Sequence, residues 1–146
     1  TSLEGRDLTN EAMAQYELAL KSNPKSLLAA NNLAALLVDR KGDAESLQRA
    51  LLLSRDFEAQ TSNAYLLDTL GWVHLKLGHR PDALRLLKQA LAKAPSHPVL
   101  NYHLGVAYAQ SGEKTEARQF LSQALQAKQS FPWFEEAKSM LAGIDG

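Results

Sequence analysis

The chain has 146 residues, of which 45% are hydrophobic and 22% charged, and its formal net charge at neutral pH is zero. This composition is typical of one globular domain, and the lack of cysteine excludes disulfides, thiolate metal sites and thiol catalysis. Balanced charge gives no general attraction for nucleic acid, and no apolar run reaches the roughly 18 residues that a membrane-spanning helix needs. Because no phosphate loop, zinc-protease or serine-hydrolase signature occurs, we expect no catalysis, no cofactor and no metal site.

The first predicted element is a single helix. Residues 1–8 are polar and predict an irregular lead-in, and Thr9 or Asn10 is a suitable N-cap for a helix that runs to Ser22, before Pro24. The helix pairs described below repeat one another. We interpret residues 9–25 as the second helix of a further such pair, whose first helix is absent. Its apolar face therefore either packs forward onto the next unit or docks another segment.

Residues 26–61 predict a pair of helices. Ser26 is the expected N-cap of the first helix, which runs to Arg40 and is ended by Gly42. Asp43 is the expected N-cap of the second. The closing glycines Gly42 and Gly78 lie 36 residues apart, against 34 for Gly78 and Gly112, so we expect an irregular connection near residues 57–61.

Two further helix pairs follow, over residues 62–97 and 98–130. In the first pair, Ser62 or Asn63 caps a helix that ends at Gly78, and Pro81 begins its partner. In the second, a helix from Pro98 ends before Gly112, and its partner runs from Lys114 to Lys128. Residues 131–142 predict a last helix that begins at Pro132. We interpret its Trp133 and Phe134 as the core of a cap rather than as a ligand site.

These helix pairs repeat one another with a period near 34 residues. Gly71 and Gly105 occupy the middle of two first helices, where glycine costs about 1 kcal/mol relative to alanine. We therefore expect the partner helix to pack closely there, with Ala83 and Ala117 opposite. Positions that return one period later include Leu70 and Leu104, Gly78 and Gly112, Ala83 and Ala117, and Leu87 and Leu121.

This pattern resembles the tetratricopeptide repeat (TPR). The motif residues are Leu67, Leu70, Gly71 and His74, followed by Ala83, Leu87 and Pro95. The family's usual tryptophan is replaced by Leu67, Ala30 and Asn101 in the three complete units. Residues 67–73 and 102–105 are also similar to TPR proteins of Gram-negative envelopes, among them exopolysaccharide- and exosortase-associated ones. The resemblance implies an all-α superhelix, a TPR solenoid, with about three and a half helix-turn-helix units and a C-terminal capping helix.

The resemblance also implies a function, which is protein or peptide binding by a non-catalytic scaffold. In TPR arrays the first helices of successive units line a concave groove, which would bring aromatic anchors together beside polar groups. The alternative is that Trp72 only packs between units. The groove residues implied here are Asn31, Tyr65, Asp68, Trp72, Lys76, Tyr102 and Val106.

A second hypothesis gives the array a structural role. It would then be a spacer or self-association segment of a larger envelope or secretion-related protein, with homodimerisation through the uncovered face of the first helix. The sequence has neither a signal peptide nor an initiator methionine, which suggests a fragment of a longer chain. The compartment, cytoplasmic or periplasmic, and the partner are therefore left open.

Overall fold

The computed structural model describes residues 2–127 and 130–145, with side chains from Gly5 onward, and the regular elements in these ranges are all helical. The predicted all-α class is therefore confirmed. The described residues form two compact units that meet in sequence at Thr61 and Ser62; the prediction of a single domain stays a prediction. The N-terminal unit contains α1 (Ser2–Ser22), α2 (Leu27–Leu36), a π-helical turn (Leu37–Lys41), α3 (Ala44–Ser54) and α4 (Phe57–Gln60). The C-terminal unit contains α5 (Ala64–Lys76), α6 (Arg80–Lys93), α7 (Pro98–Gln110), α8 (Lys114–Leu125) and α9 (Phe134–Asp145).

Helix α1 is longer than the sequence pattern predicted. The expected lead-in over residues 1–8 is wrong, because the helix is continuous from Ser2, while Thr1 lies outside the described residues. The Thr9 hydroxyl donates to the carbonyl oxygen of Gly5 at 2.9 Å, a bond within the helix, so Thr9 does not act as an N-cap. The predicted boundary at Thr9 or Asn10 is therefore replaced by about two further turns of helix.

Helix α2 begins as predicted but ends differently. The Ser26 hydroxyl accepts from the backbone N–H of Ala29 at 3.2 Å. The last turn is π-helical, with the Gly42 N–H donating to the Leu37 carbonyl at 2.9 Å. The cause is one extra residue in this repeat. Leu33 and Leu70 are equivalent positions, but Leu33 precedes Gly42 by nine residues, whereas Leu70 precedes Gly78 by eight. The π-turn accommodates that extra residue.

The irregular connection expected near residues 57–61 is present. Helix α3, capped by the Asp43 carboxylate at the Ser46 N–H, ends at Ser54, and the four-residue helix α4 follows. This irregular connection contains one fully buried aromatic side chain, that of Phe57.

The C-terminal unit is built from two closely packed hairpins, α5 with α6 and α7 with α8. A Cβ on Gly71 would lie 2.9 Å from Leu87 Cγ, and one on Gly105 would lie 2.8 Å from Leu121 Cγ. The predicted close approach is confirmed, although the nearest side chains are these leucines rather than Ala83 and Ala117. Both hairpins end their first helix as expected, with Gly78 and Gly112 in the left-handed conformation.

Helix α9 packs on α8 and completes the C-terminal unit, with Ala137 fully buried. It begins at Phe134 rather than at Pro132 and extends to Asp145, beyond the predicted end at residue 142. Helix α8 ends at Leu125; the predicted end at Lys128 lies outside the described residues.

Candidate functional site

Six of the seven predicted groove residues lie on the first helices of the C-terminal unit, α5 and α7. The structure divides them by burial. Tyr65 and Lys76 are exposed. The buried members are Asp68, Trp72, Tyr102 and Val106. We refer to the surface formed by Tyr65 and Lys76 above these buried side chains as the first-helix face.

Trp72 lies in the interior of the C-terminal unit. Its side chain is 5% exposed, and the indole stacks on the His103 imidazole with ring centroids 3.9 Å apart and an interplanar angle of 15°. The Lys76 ammonium lies 4.6 Å from the indole centroid and makes a cation–π contact. Helices α5 and α7 are therefore joined at this point by an aromatic stack.

A buried polar pair accompanies the stack. His103 Nδ1 lies 2.9 Å from each carboxylate oxygen of Asp68, and the two side chains are 5% and 9% exposed. The arrangement is a hydrogen bond from the Nδ1–H of His103 to a carboxylate, in surroundings of low polarity. His103 Nε2 is buried with no hydrogen-bond partner among the described atoms. The pair therefore fixes both the position of α7 against α5 and the plane of the imidazole under Trp72.

Tyr102 connects the same cluster to the C-terminal cap. Its ring is parallel to that of Trp133, with an interplanar angle of 6° and centroids 6.0 Å apart, and it also contacts Phe131 at 6.2 Å. The Trp133 ring lies 5.6 Å from His103. These contacts agree with the interpretation of Trp133 as part of the cap core.

The predicted aromatic residues do not all meet. Trp72 and Tyr102 are in contact, with centroids 6.2 Å apart. Tyr65, which is 50% exposed, instead packs edge-on against His97 at 5.2 Å. Asn31 belongs to the N-terminal unit, where it is half-buried and its Oδ1 has no described partner.

Sequence reasoning missed His103, which makes the central contacts of the cluster. The available signal was weak: His103 lies 35 residues after Asp68, one residue more than the repeat period. Polar residues at nearly equivalent positions of two successive repeats also occur on solvent-exposed helices, so this spacing alone does not indicate a buried pair. Only the packing of α5 against α7 distinguishes the buried pair from two exposed side chains.

The described residues contain no group of three or more His, Cys, Asp or Glu side chains arranged to hold a metal ion. His74 and His79 approach each other, with their Nδ1 atoms 3.0 Å apart, at the turn between α5 and α6. Over residues 2–127 and 130–145, no helix combines the length and the apolar character that crossing a membrane requires.

Comparison with known proteins gives the family. A family model for the tetratricopeptide repeat matches residues 69–131, which cover most of the two hairpins and of the cluster just described. The matched residues, 69–131, are therefore tetratricopeptide repeat sequence. The subgroup of envelope and exopolysaccharide proteins is not distinguished by this match.

A curated relative is the TPR repeat-containing protein PA4667 of Pseudomonas aeruginosa, which is 34% identical over 100 residues. The alignment spans 64% of this chain but 16% of the relative. The chain thus corresponds to a small part of that longer TPR protein.

Solved structures show the same fold. A thermophilic TPR protein of Thermus thermophilus, TTC0263, superposes with a TM-score of 0.73 at 26% identity, over 96% of this chain and 74% of that one. The crystal structure of MamA superposes with a TM-score of 0.71 at 19% identity, over 97% of this chain and 79% of that one. These similarities confirm the TPR solenoid as the fold class.

Proposed function

We propose that this TPR chain is a non-catalytic scaffold that binds a protein or peptide segment on the first-helix face. The proposal is supported by the family, whose members in general mediate protein–protein interactions, and by one local observation. Tyr65 is a large aromatic residue that stays half exposed and packs edge-on against His97. Aromatic side chains that can be desolvated by a partner contribute most to binding free energy in protein interfaces.

In this proposal the predicted residues have two different roles. Tyr65 and Lys76 contact the bound segment directly, Tyr65 through its ring and Lys76 through its charge. Asn31 belongs to the N-terminal unit and its Oδ1 is buried, so it does not contact the bound segment in this proposal. The remaining predicted residues are buried, hold α5 and α7 in place and so preserve the shape of the face; they are Asp68, Trp72, Tyr102 and Val106.

A peptide library displayed on phage provides the test. Peptides selected on the immobilised chain are synthesised, labelled and titrated against the wild type and against Tyr65→Ala and Lys76→Ala. We expect Tyr65→Ala to weaken binding by about 2 kcal/mol, which is roughly thirtyfold in Kd, because it removes the exposed anchor. Lys76→Ala is expected to weaken binding of acidic peptides more than of neutral ones.

The matched control is Leu52→Ala, which removes an exposed apolar side chain from α3. It is expected to bind the selected peptides as the wild type does. Selected peptides that bind Tyr65→Ala and Lys76→Ala with unchanged affinity, or a folded chain that enriches no peptide, would reject the proposal.

A second candidate function, self-association, is favoured by the exposed apolar residues of α1. Leu8 and Leu18 are 62% and 58% exposed, although both are large and hydrophobic. Sedimentation velocity over a range of concentrations tests this candidate. A sedimentation coefficient that rises with concentration in the wild type but not in Leu8→Ser/Leu18→Ser supports it, and a constant monomer value excludes it.

A further inference from the structure

A cleft of about 670 Å³ lies in the N-terminal unit, between the first half of α1 and the end of α2. It is separate from the first-helix face, which belongs to the C-terminal unit. Its walls combine apolar and basic side chains. The six that matter here are Leu8, Ala12 and Leu36, and Arg6, Arg40 and Lys41. We propose that this cleft docks an acidic, apolar helical segment of a partner protein.

The charge of the cleft has one sign. Among the described side chains, three cationic ones line it and no carboxylate does. The ion pairs described among residues 5–127 and 130–145 do not include Arg6 or Arg40. Lys41 donates to the amide oxygen of Asn10 at 3.2 Å, a neutral acceptor that does not balance the ammonium charge. Carboxylates of a docked segment would therefore be attracted to these three cations and could form charge-assisted hydrogen bonds with them.

Acidic residues do occur on the same helices, but they lie outside the cleft. Asp7 and Glu11 on α1 and Asp39 in the π-helical turn are all exposed, and none is among the lining residues. The positive character is thus local to the cleft, in a chain whose total charge is zero.

The π-helical turn is an independent sign of local specialisation. The turn, Leu37–Lys41, contains two of the three cationic residues, Arg40 and Lys41. Turns of this kind are rare and are frequently found at functional sites, because the inserted residue changes the direction of the side chains around it. The equivalent helix α5 has one residue fewer before its closing glycine and is regular up to Lys76. The insertion therefore distinguishes this repeat from its neighbour.

The apolar part of the cleft is incompletely covered. Ala12 matches Ala83 in the repeat, and Ala83 is fully buried in its hairpin, whereas Ala12 is only half-buried. Leu8, one turn earlier on the same helix, is mostly exposed. A docked helix with leucine-like side chains at i, i+3, i+4 and i+7 would bury this surface and bring flanking carboxylates to the basic rim. Three cations are fewer than the four to eight that typically recruit a protein to anionic lipid, which favours a protein segment as the occupant.

Labelled model peptides of about 12 residues, with leucine at helical spacing and glutamate around it, provide the test. The companion peptide carries lysine in place of every glutamate. We expect the Leu/Glu peptide to bind the wild type and to lose about tenfold or more in affinity with Arg6→Glu/Arg40→Glu. The Leu/Lys peptide is expected to show the opposite preference, because reversing both charges restores complementarity. Leu8→Ser should weaken both interactions, by about threefold or more.

Two controls show whether the peptide binds at this cleft. Lys138→Glu reverses one charge on the exposed side of α9, half the charge change of Arg6→Glu/Arg40→Glu, and is expected to leave the affinity unchanged. Tyr65→Ala is expected to leave it unchanged as well, so failure of the first-helix proposal and failure of this one are distinguishable. Circular dichroism establishes that each variant is folded.

Three outcomes would overturn the proposal. The first is equal binding of the Leu/Glu peptide by wild type and Arg6→Glu/Arg40→Glu. The second is the lack of saturable peptide binding together with binding to phosphatidylglycerol vesicles that Arg6→Glu/Arg40→Glu abolishes, which would make the cleft a lipid site. The third is a concentration-dependent dimer of the wild type that Arg6→Glu/Arg40→Glu makes monomeric and that excludes the peptide, which would assign the cleft to a second copy of the chain.

Discussion

The carboxylate of Asp68 and the imidazole of His103 are joined at 2.9 Å across two repeats, with His103 bound to both carboxylate oxygens. Asp68 lies on α5 and His103 on α7, so their contact links the first helices of two successive hairpins. The aromatic stack of Trp72 on His103 depends on the same imidazole orientation. One buried polar contact thus determines how two hairpins and an aromatic cluster are held together.

Removing the carboxylate should destabilise the C-terminal unit. Asp68→Ala leaves the buried His103 Nδ1–H without an acceptor, and we expect a loss of about 2 kcal/mol or more in the free energy of unfolding. Urea denaturation followed by far-UV circular dichroism measures it. A double-mutant cycle with His103→Ala is expected to give a coupling free energy of roughly 1.5–3 kcal/mol.

An exposed ion pair on α6 provides the control for the buried pair of Asp68 and His103. Asp82 and Arg85 form an ion pair at 3.2 Å on the surface of α6, and both side chains are about half exposed. Asp82→Ala should cost less than about 1 kcal/mol. If Asp68→Ala costs no more than Asp82→Ala, the buried pair does not hold α7 against α5.

Trp72→Ala should act on stability before it acts on binding. The indole is buried and stacked, so its truncation is expected to reduce the free energy of unfolding by about 3–5 kcal/mol. Trp72→Phe keeps an aromatic ring over His103 and should cost less. Thermal and urea unfolding of both variants, compared with the exposed-site variant Tyr65→Ala, measure these differences. A Trp72→Ala protein as stable as Tyr65→Ala would show that the indole is not part of the packed interior.

The helical hairpins were predictable because several local signals agree at each boundary. Gly78, for example, combines the end of an apolar stripe with a residue that adopts the left-handed conformation, and the proline-initiated helix α6 follows. Where signals conflict, the prediction was wrong. Thr9 has the chemistry of an N-cap, but the residues before it contain no proline and can continue the helix, so its hydroxyl bonds within α1 instead.

The candidate site was less predictable than the hairpins, for a physical reason. The repeat period assigns residues such as Asp68 and Trp72 to one side of a first helix, but that side faces both the binding surface and the next first helix. Whether a side chain contacts the binding surface or the next helix depends on the residue opposite it in the fold. Nothing in the sequence distinguishes the buried His103 from an exposed histidine. Burial of Trp72 follows from tertiary packing that periodicity does not encode.

The N-cap of α3 makes a prediction about pH. The Ser46 hydroxyl donates to the Asp43 carboxylate at 2.6 Å, and this hydrogen bond is the main cause of the lowered pKa of Asp43; the bond from the Ser46 backbone N–H contributes next. Because the pKa is lower in the folded state, the cap stabilises α3 at pH values above the ordinary carboxyl pKa. That stabilisation is lost as the pH falls through the lowered value.

Ser46→Ala removes the hydroxyl donor, so the pKa of Asp43 should rise towards its ordinary value. A carbon-13 NMR titration of the Asp43 carboxyl measures this directly. Ser139→Ala, an equivalent change on the exposed side of α9, should leave the titration curve unchanged. A curve for Ser46→Ala that overlays the wild type would show that the serine hydroxyl does not determine the pKa.

Alanine substitutions at three helical glycines distinguish the effect of close packing on stability from the effect of helix propensity. A Cβ on Gly105 would lie 2.8 Å from Leu121 Cγ and 3.2 Å from the Leu121 backbone nitrogen, and the backbone atom cannot rotate away. Overpacking costs about 1–3 kcal/mol, whereas alanine gains up to about 1 kcal/mol in helix propensity, so Gly105→Ala should be destabilising. Gly71→Ala meets Leu87 Cγ at 2.9 Å and Leu86 Cβ at 3.2 Å, and only the Leu87 atoms can move by a rotamer change. Gly71→Ala should therefore also be destabilising, by slightly less than Gly105→Ala, because its Leu87 contacts are slightly longer than those of Leu121. Gly143 on α9 has no atom within 4 Å of an added Cβ, and Gly143→Ala should therefore raise the free energy of unfolding by up to about 1 kcal/mol. We expect the urea midpoint to decrease in the order Gly143→Ala, wild type, Gly71→Ala, Gly105→Ala. If all three variants were equally stabilised, helix propensity alone would determine the effect, and the hairpins would not be closely packed at these glycines.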